Sequence, residues 1–429
     1  MTMMKRGALM SGAEAIAYIH SRTWLGSRPG LSRTHALLDG LGHPERGLRF
    51  VHIAGTNGKG STAAMLASVL RTAGYRTGLN SSPYLQTFHE RVQINGTMIS
   101  DADLGELMTE VKAAADRMDD PPTEFELITA LAFLYFQRKQ CDIVVLEVGL
   151  GGLLDSTNVI EAPEAAVITA IGLDHQKQLG STLEEIASAK AGIIKPDCDV
   201  VLYQQPARVE RVVEEVCARQ SARLHRADFS RLTPLRHNLD GQTFRWDGQE
   251  LFLPLLGDHQ LCNAAAALTT VEVLRRKGWT VRDEDIRAGF AAVKWPARFE
   301  VLERQPLFIV DGGHNPQCVQ ALVRNLQDYL PNRPVTFLTG VLADKDYPAM
   351  YRQVAPMAAH FVTVTPLSTR ALSAAELAAH LEPYGVPTVS AGTIEEGVEI
   401  AKKLAGEDGA VCAFGSLYMA GAVRACFGR

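Results

Sequence analysis

Apolar residues recur along this chain in two rhythms, short unbroken runs and longer stretches at three- to four-residue spacing. The runs at 48–53, 141–148, 165–172 and 199–203 have the length and continuity of strands buried on both faces. Between them, 62–72, 101–118, 123–138 and 183–194 carry the helical spacing. Ser100 stands as an N-cap for the second of these, and Thr123 with Glu126 three residues on predicts a capping box for the third. Residues 11–42 predict helical structure around a loop at 26–30, and 75–80 a further strand. Strand alternating with helix predicts an α/β fold, a central and mostly parallel sheet with helices on both faces.

The rhythm changes between 224 and 256. Short alternating runs such as Gln242-Thr243-Phe244-Arg245-Trp246, then Asp247-Gly248, predict a small antiparallel excursion with a hairpin at the Asp-Gly pair, attached to the first domain. Helices follow at 259–276 and 283–293. Residues 294–298 (Lys-Trp-Pro-Ala-Arg) predict a hinge, so the expected domains are 1–296 and 297–429. After it, strands near 307–310, 335–339, 360–365 and 410–414 alternate with helices near 317–330, 373–382 and 393–405. That pattern predicts a smaller, doubly wound Rossmann-like domain. No internal repeat or low-complexity segment interrupts it.

Composition narrows the function classes. At 429 residues, with 46% hydrophobic and 21% charged residues, the chain has the make-up of an ordinary globular protein with more than one core. A formal charge of −5 and dispersed basic residues give no footprint for nucleic acid. No apolar run approaches the roughly 18 residues of a membrane span, and the N-terminal basic pair Lys5-Arg6 lacks the apolar core of a signal peptide. Seven cysteines without a CxxC pair read as small buried hydrophobes in a reducing cytoplasm. Nothing demands a partner chain, so a cytoplasmic monomer is expected.

The chemistry is concentrated where strands end. The first strand runs into Gly55-Thr56-Asn57-Gly58-Lys59-Gly60-Ser61 and then a helix. Strand, glycine turn with lysine, and helix is the order that aims backbone N–H groups and a helix N-terminus at phosphate. The spacing departs from the common P-loop, because Gly60 separates Lys59 from Ser61 and Ile53 occupies the first glycine's place. A plain strand–helix turn is the competing reading. Glu147 ends the 141–148 strand and Asp174-His175 follow the 165–172 strand. With Ser82 beyond the 75–80 strand, they form an oxygen-rich set suited to Mg²⁺ beside ATP. A histidine in that place also serves structurally, and Lys190 on its helix reads by default as a solvated or paired lysine. Asp311 and His314, on a glycine-rich turn after a strand, fit a ligand-binding loop and ordinary turn chemistry equally.

Taken together these residues resemble a known family. The phosphate loop, Ser81-Ser82-Pro83, Glu90-Arg91-Val92, Glu147-Val148-Gly149-Leu150-Gly151-Gly152, Leu154-Asp155, Thr157-Asn158, Asp174-His175, Lys190-Ala191-Gly192-Ile193, His259-Gln260, Asn263-Ala264-Ala265, Arg298-Phe299, Asp311, His314-Asn315-Pro316 and Ser416-Leu417-Tyr418 recur in that order in folylpolyglutamate and dihydrofolate synthases. These belong with the Mur ligases among ATP-dependent amide ligases. The resemblance covers almost the whole chain and accounts for the Lys-Gly-Ser spacing. It implies a P-loop ATPase domain followed by a Rossmann-like domain. It implies, too, a reaction in which ATP phosphorylates a folate or dihydropteroate carboxylate and L-glutamate displaces the phosphate.

Carried over by residue, the resemblance implies that Asn57, Gly58, Lys59, Gly60 and Ser61 cradle phosphates. Ser82, Glu147 and His175 would hold Mg²⁺, and Lys190 would be carbamylated to support a second ion. Asn263, Arg298, Asp311 and His314 would contact the nucleotide, with Lys59, Lys190 and His314 the catalytic set. Thr123, Phe125 and Asp155 would line a pterin pocket, and Ser416 would help bind glutamate. Three positions depart from the family pattern, Leu153 for Arg, Ala189 for Glu before the lysine and Tyr84 for His; Leu153 and Tyr84 bear on the shape of the folate pocket. A Mur-type cell-wall ligase and a non-catalytic ATP-binding module are the alternatives.

Overall fold

The computed structural model describes residues 9–26 and 28–429; Lys5-Arg6 and one residue of the 26–30 loop lie outside them. The chain divides into two compact units, one holding the sequence up to Ser230 with Cys262–Phe290, the other Arg231–Leu261 with Ala291–Arg429.

The first unit is built on eight strands: β1 (Phe50–Ala54), β2 (Thr77–Asn80), β3 (Val92–Ile94), β4 (Thr97–Met98), β5 (Ile143–Glu147), β6 (Ala165–Ile168), β7 (Asp199–Leu202) and β8 (Arg223–Arg226). Their order is β4-β3-β2-β5-β1-β6-β7-β8, parallel except for β3 and β4 at one edge. β1, fully buried, lies between β5 and β6. Parallel register sets Ile53 beside Glu147 and Ala54 beside Ile168, while Asn80 of β2 pairs with Leu146. The segments following β1, β2, β5 and β6 therefore leave the sheet at one end, where open parallel sheets gather ligands.

Helices cover both faces because the strands are apolar on both. On one side the helix Glu124–Arg138 buries Leu127, Leu131, Phe133 and Phe136 against Phe50, Val144 and Leu146, with Phe50 and Phe133 meeting edge to face at 5.5 Å. On the other, Ala54, Ile168 and Val200 pack with Ile186, Ala187 and Val213. A leucine or phenylalanine buried this fully contributes roughly 1.5–3 kcal/mol. The Thr123–Glu126 capping box forms as expected, and Ser100 caps the helix Asp101–Ala115. Glu126 is itself buried and paired with buried Arg33 at 3.0 Å. Burial of that charge is tolerable only because the guanidinium accompanies it.

In the second unit, β9 (Leu232–Asn238), β10 (Gly241–Trp246) and β11 (Gln249–Leu253) make an antiparallel sheet. The hairpin turns at Asp247 and Gly248, both at positive φ, as the Asp-Gly pair predicts. The excursion is narrower than 224–256, since Arg223–Arg226 is a parallel strand of the first sheet. Contrary to expectation it also belongs to the second unit. Gln242 donates to the carbonyls of Leu255 and Gly257, the N–H of Gly257 donates to the Tyr329 hydroxyl at 3.3 Å, and Leu256 shares a core with Phe299, Leu322 and Leu326. These contacts come from residues far along the chain, which local alternation does not reveal.

The rest of the second unit is a six-stranded sheet of β12 (Glu300–Arg304), β13 (Leu307–Val310), β14 (Val335–Thr339), β15 (Ala358–Thr363), β16 (Thr388–Ser390) and β17 (Ala410–Phe414). Its order is β12-β13-β17-β14-β15-β16. All pairs are parallel except β12 with β13. β13, β14 and β17 are buried throughout, which is why they read as continuous apolar runs.

Candidate active site

The glycine loop after β1 is clamped before its helix begins. The N–H groups of Thr56 and Asn57 both donate to the Ala170 carbonyl. Thr169 donates its hydroxyl to the Asn57 carbonyl at 2.8 Å, and the Thr56 hydroxyl donates to the Gly172 carbonyl at 3.0 Å. Gly58 then turns the chain at φ 87° as the N-cap of the helix Lys59–Thr72. The helix starts three residues earlier than its apolar periodicity suggests, because the left-handed glycine lets the chain enter helical geometry at once. A side chain at Gly58 would strike Asn263, whose Oδ1 stands 2.4 Å from where a Cβ would be. Gly60 and Ser61 are buried in the first turn, the end where the helix dipole favours an anion.

Two ammonium groups meet on one carbonyl beside this turn. Lys190, 4% exposed, donates from Nζ to the Gly55 oxygen at 2.7 Å, and Lys59 donates to the same oxygen at 3.2 Å. Burial and the neighbouring Lys59 charge lower the Lys190 pKa to about 7, against the pull of Asp174 and Asp155. Lys190 is thus neither solvated nor salt-bridged in the ordinary way. A lysine near half-neutral at physiological pH carries a nucleophilic amine.

Glu147, 4% exposed at the end of β5, accepts the Ser82 N–H at 3.2 Å, so these two expected metal-binding residues are adjacent. His175 lies on the segment leaving β6, past Gly172, in the left-handed region at φ 51° as the N-cap of a four-residue helix. Among the described residues no three His, Cys, Asp or Glu side chains form a metal cluster. A carboxylate beside a hydroxyl-bearing residue is a donor pair suited to Mg²⁺, which takes one or two carboxylates and keeps several waters.

The next wall is a glycine loop fixed by its own carboxylate. Asp155 is 5% exposed and accepts N–H groups from Leu150 at 2.8 Å and Thr157 at 3.0 Å; burial raises its pKa despite these bonds. Phe125 lies against Gly149, where an added Cβ would come within 2.4 Å of its ring. Thr123 is buried, its hydroxyl accepting the Glu126 N–H, so a capping role occupies it. Two of the family departures meet here, since the Leu153 N–H donates to the Ala189 carbonyl at 2.8 Å and the Leu153 side chain is about half exposed. Tyr84 packs edge-on to Phe88 and lies under the Arg91 guanidinium.

Within the second unit, Arg298 sits between Ala297 and Phe299, two non-glycine residues at φ 55° and 47°. The strain is held by specific bonds. The Ala297 N–H donates to Glu300, the Phe299 N–H to Asp311 Oδ2 at 2.8 Å, and the Gly312 N–H to the Ala297 carbonyl. Left-handed geometry at a phenylalanine costs on the order of 1–3 kcal/mol and is characteristic of functional loops. Asp311 accepts the Gly313 N–H through its other oxygen at 2.7 Å. Arg298 lies over Gly312, whose missing side chain makes room for it, and His314 Nδ1 is 2.9 Å from the Gly312 carbonyl. Arg298, Asp311 and His314 are thus brought together. Ser416 stands apart in role, as the N-cap of the helix Leu417–Ala425, with its hydroxyl accepting the Tyr418 N–H.

One residue at this site, His52, escapes sequence reasoning, and its partner Thr157 entered only as part of a family motif with no role assigned. Both are fully buried, 2.9 Å apart. The available signal was a histidine inside an otherwise apolar strand directly before the phosphate loop.

Fold and site define a class, in which a phosphate-loop domain precedes a Rossmann-like ligase domain. The chain matches the Mur ligase middle domain over residues 53–271 and the Mur ligase glutamate ligase domain over 297–417. It is 38% identical to the folylpolyglutamate synthase of Lacticaseibacillus casei, over 97% of this chain and 98% of that one. To the dihydrofolate synthase/folylpolyglutamate synthase of Bacillus subtilis it is 37% identical, over 80% and 83%. The crystal structure of Mycobacterium tuberculosis folylpolyglutamate synthase complexed with ADP and AMPPCP superposes with a TM-score of 0.89 at 34% identity, covering 97% of this chain and 99% of that one. This chain belongs to the folylpolyglutamate synthase/dihydrofolate synthase family of Mur ligases. No helix among the described residues is long and apolar enough to cross a membrane.

Proposed function

We propose that the chain is an ATP-dependent ligase that adds L-glutamate to reduced folates and to dihydropteroate. The observation that carries this reading is the convergence of Lys59 and Lys190 on the Gly55 carbonyl at the helix N-terminus. That arrangement suits a terminal phosphate and explains why a lysine is buried there. A carboxylate is a poor acyl donor because its leaving group is oxide. Its oxygen attacks the γ-phosphorus of ATP, ADP departs, and an acyl phosphate results. The glutamate amine then attacks the acyl carbon, inorganic phosphate leaves, and the amine's proton is lost.

In this scheme Gly58, Gly60 and Ser61, with Asn57, cradle the phosphates, and Lys59 neutralises charge on the transferring phosphoryl group. Ser82, Glu147 and His175 would hold one Mg²⁺ and a carbamylated Lys190 would support a second; the ions supply charge neutralisation at the phosphoryl oxygens. A neutral Lys190 amine adds CO₂ with loss of one proton, and the product is an anion that keeps an N–H for Gly55. Asn263, Arg298, Asp311 and His314 serve the nucleotide. Phe125, Thr123 and Asp155 serve the pterin. Residues 297–429, with Ser416, receive glutamate. The relatives named for both activities support the double substrate range. Among the described residues the seven cysteines form no disulfide, which supports a reducing cytoplasm, and the chain is read as a monomer. Phosphate release that depends on ATP, a pterin substrate and glutamate together tests the proposal. Release independent of the pterin contradicts it.

A further inference from the structure

A buried polar chain runs beneath the glycine loop that follows β5. His52 Nε2 is 2.9 Å from the Thr157 hydroxyl, and that hydroxyl is 2.5 Å from Asp155 Oδ1. The other Asp155 oxygen accepts the Leu150 N–H. His52 and Thr157 have no exposed surface, and His52 Nδ1 has no hydrogen-bond partner among the described residues.

The protons can be counted. Thr157 has a single hydroxyl proton, and both Asp155 oxygens already accept backbone N–H groups, Oδ2 from Leu150 and Oδ1 from Thr157, so the carboxylate stands here as an acceptor. The short Thr157–Asp155 contact therefore takes that proton, leaving the Thr157 oxygen facing His52 as an acceptor. His52 must then bring the proton on Nε2, and Nδ1 keeps a bare lone pair. The opposite tautomer would bury an N–H with no acceptor and set two lone pairs against each other, which is the costlier arrangement. Burial and the nearby Lys195 charge hold His52 neutral, with its pKa near 3.

We propose that His52 is a positioning residue: as the neutral Nε2–H tautomer it turns the Thr157 hydroxyl onto Asp155, fixing that carboxylate and the loop N–H it holds at the pterin wall. The inference rests on the ligase reading above, in which Asp155 faces the pterin. It ties the strand that carries the phosphate loop to the surface that selects the second substrate. His52 touches neither substrate, so its loss acts on pterin binding and leaves ATP binding in place.

The test combines a spectrum with kinetics on the full chain. In ¹⁵N-histidine spectra of the wild type, with His52 assigned through H52Q, the expected state at neutral pH is a protonated Nε2 and a bare Nδ1. A protonated Nδ1 or an imidazolium overturns the proposal. For H52F and T157V the KM for dihydropteroate is expected to rise about tenfold, the effect of one hydrogen bond to a charged group, with the KM for ATP unchanged. H52Q, which restores a donor at the Nε2 position, and T157S should recover it. Equal effects on both KM values, or H52Q as impaired as H52F, overturn the proposal. Should H52F fail to fold, the T157V and T157S pair carries the kinetic arm. A wild type that releases no phosphate with any pterin sinks the ligase reading, while the spectrum still decides the tautomer.

Discussion

Lys190 and Lys59 share one acceptor, the Gly55 carbonyl, at 2.7 and 3.2 Å. The strain of two like charges on a single oxygen is eased because burial and the Lys59 charge make Lys190 the readier of the two to give up its proton. In an unfolded chain this lysine keeps its proton up to its ordinary pKa of 10.5, whereas in the fold it releases it at about 7. Between those values the unfolded state binds the extra proton, so stability rises with pH. The cost of burying the cation is fully present below 7. In CO₂-free buffer, thermal unfolding of the wild type should gain on that of K190M as pH rises from 7 toward 10.5. Parallel curves would show that Lys190 is not depressed.

The same lysine has a chemical signature. K190A should lose phosphate release by at least about a hundredfold, as when a preorganised electrostatic group is removed. A short added carboxylate should restore part of it by standing in for the proposed carbamate. Full activity in K190A means that the carbamate reading is wrong.

At the other lysine, K59A should abolish phosphate release while leaving the circular dichroism and melting profile close to wild type. Lys59 bonds only to carbonyls of its own loop among the contacts described, Gly55 and Thr56, so the fold does not depend on it. Retained turnover would mean that the loop does not hold the transferring phosphate.

Gly58 and Asn263 make a paired prediction. G58A forces a Cβ into the left-handed region, a cost of roughly 1–2 kcal/mol, and drives it onto Asn263. Its KM for ATP should rise sharply. Because Asn263 is itself a proposed nucleotide contact, the second site is read by thermal unfolding: in G58A/N263G the part of the stability lost through the clash returns, while the backbone cost remains. No recovery at all would assign the whole defect to the backbone.

Much of this arrangement was legible in the residues. Buried parallel strands are continuous apolar runs, so β1, β5, β13, β14 and β17 announce themselves; β5 ends on Glu147 and β13 runs directly into Asp311. β12 and β16 did not, because edge strands alternate, and β16 spans only Thr388–Ser390. The antiparallel hairpin was visible in Asp247-Gly248, but not its attachment, which depends on Gln242, Leu256 and Tyr329 meeting residues far off in sequence. At the site, Glu147 could be singled out by its position at a strand end, whereas Lys190 read as an ordinary helix lysine and was marked only by the family resemblance. The burial of Lys190, the saturation of Asp155 by its own loop and the His52–Thr157 pair depend on tertiary packing, and no local pattern encodes them.

The central claim is a glutamate ligase acting on two pterin substrates. Its most direct test is phosphate release by the purified chain with ATP, magnesium and L-glutamate, comparing dihydropteroate with tetrahydrofolate. Release with both substrates, absent when glutamate or the pterin is omitted, is the predicted result. No release with either contradicts the account.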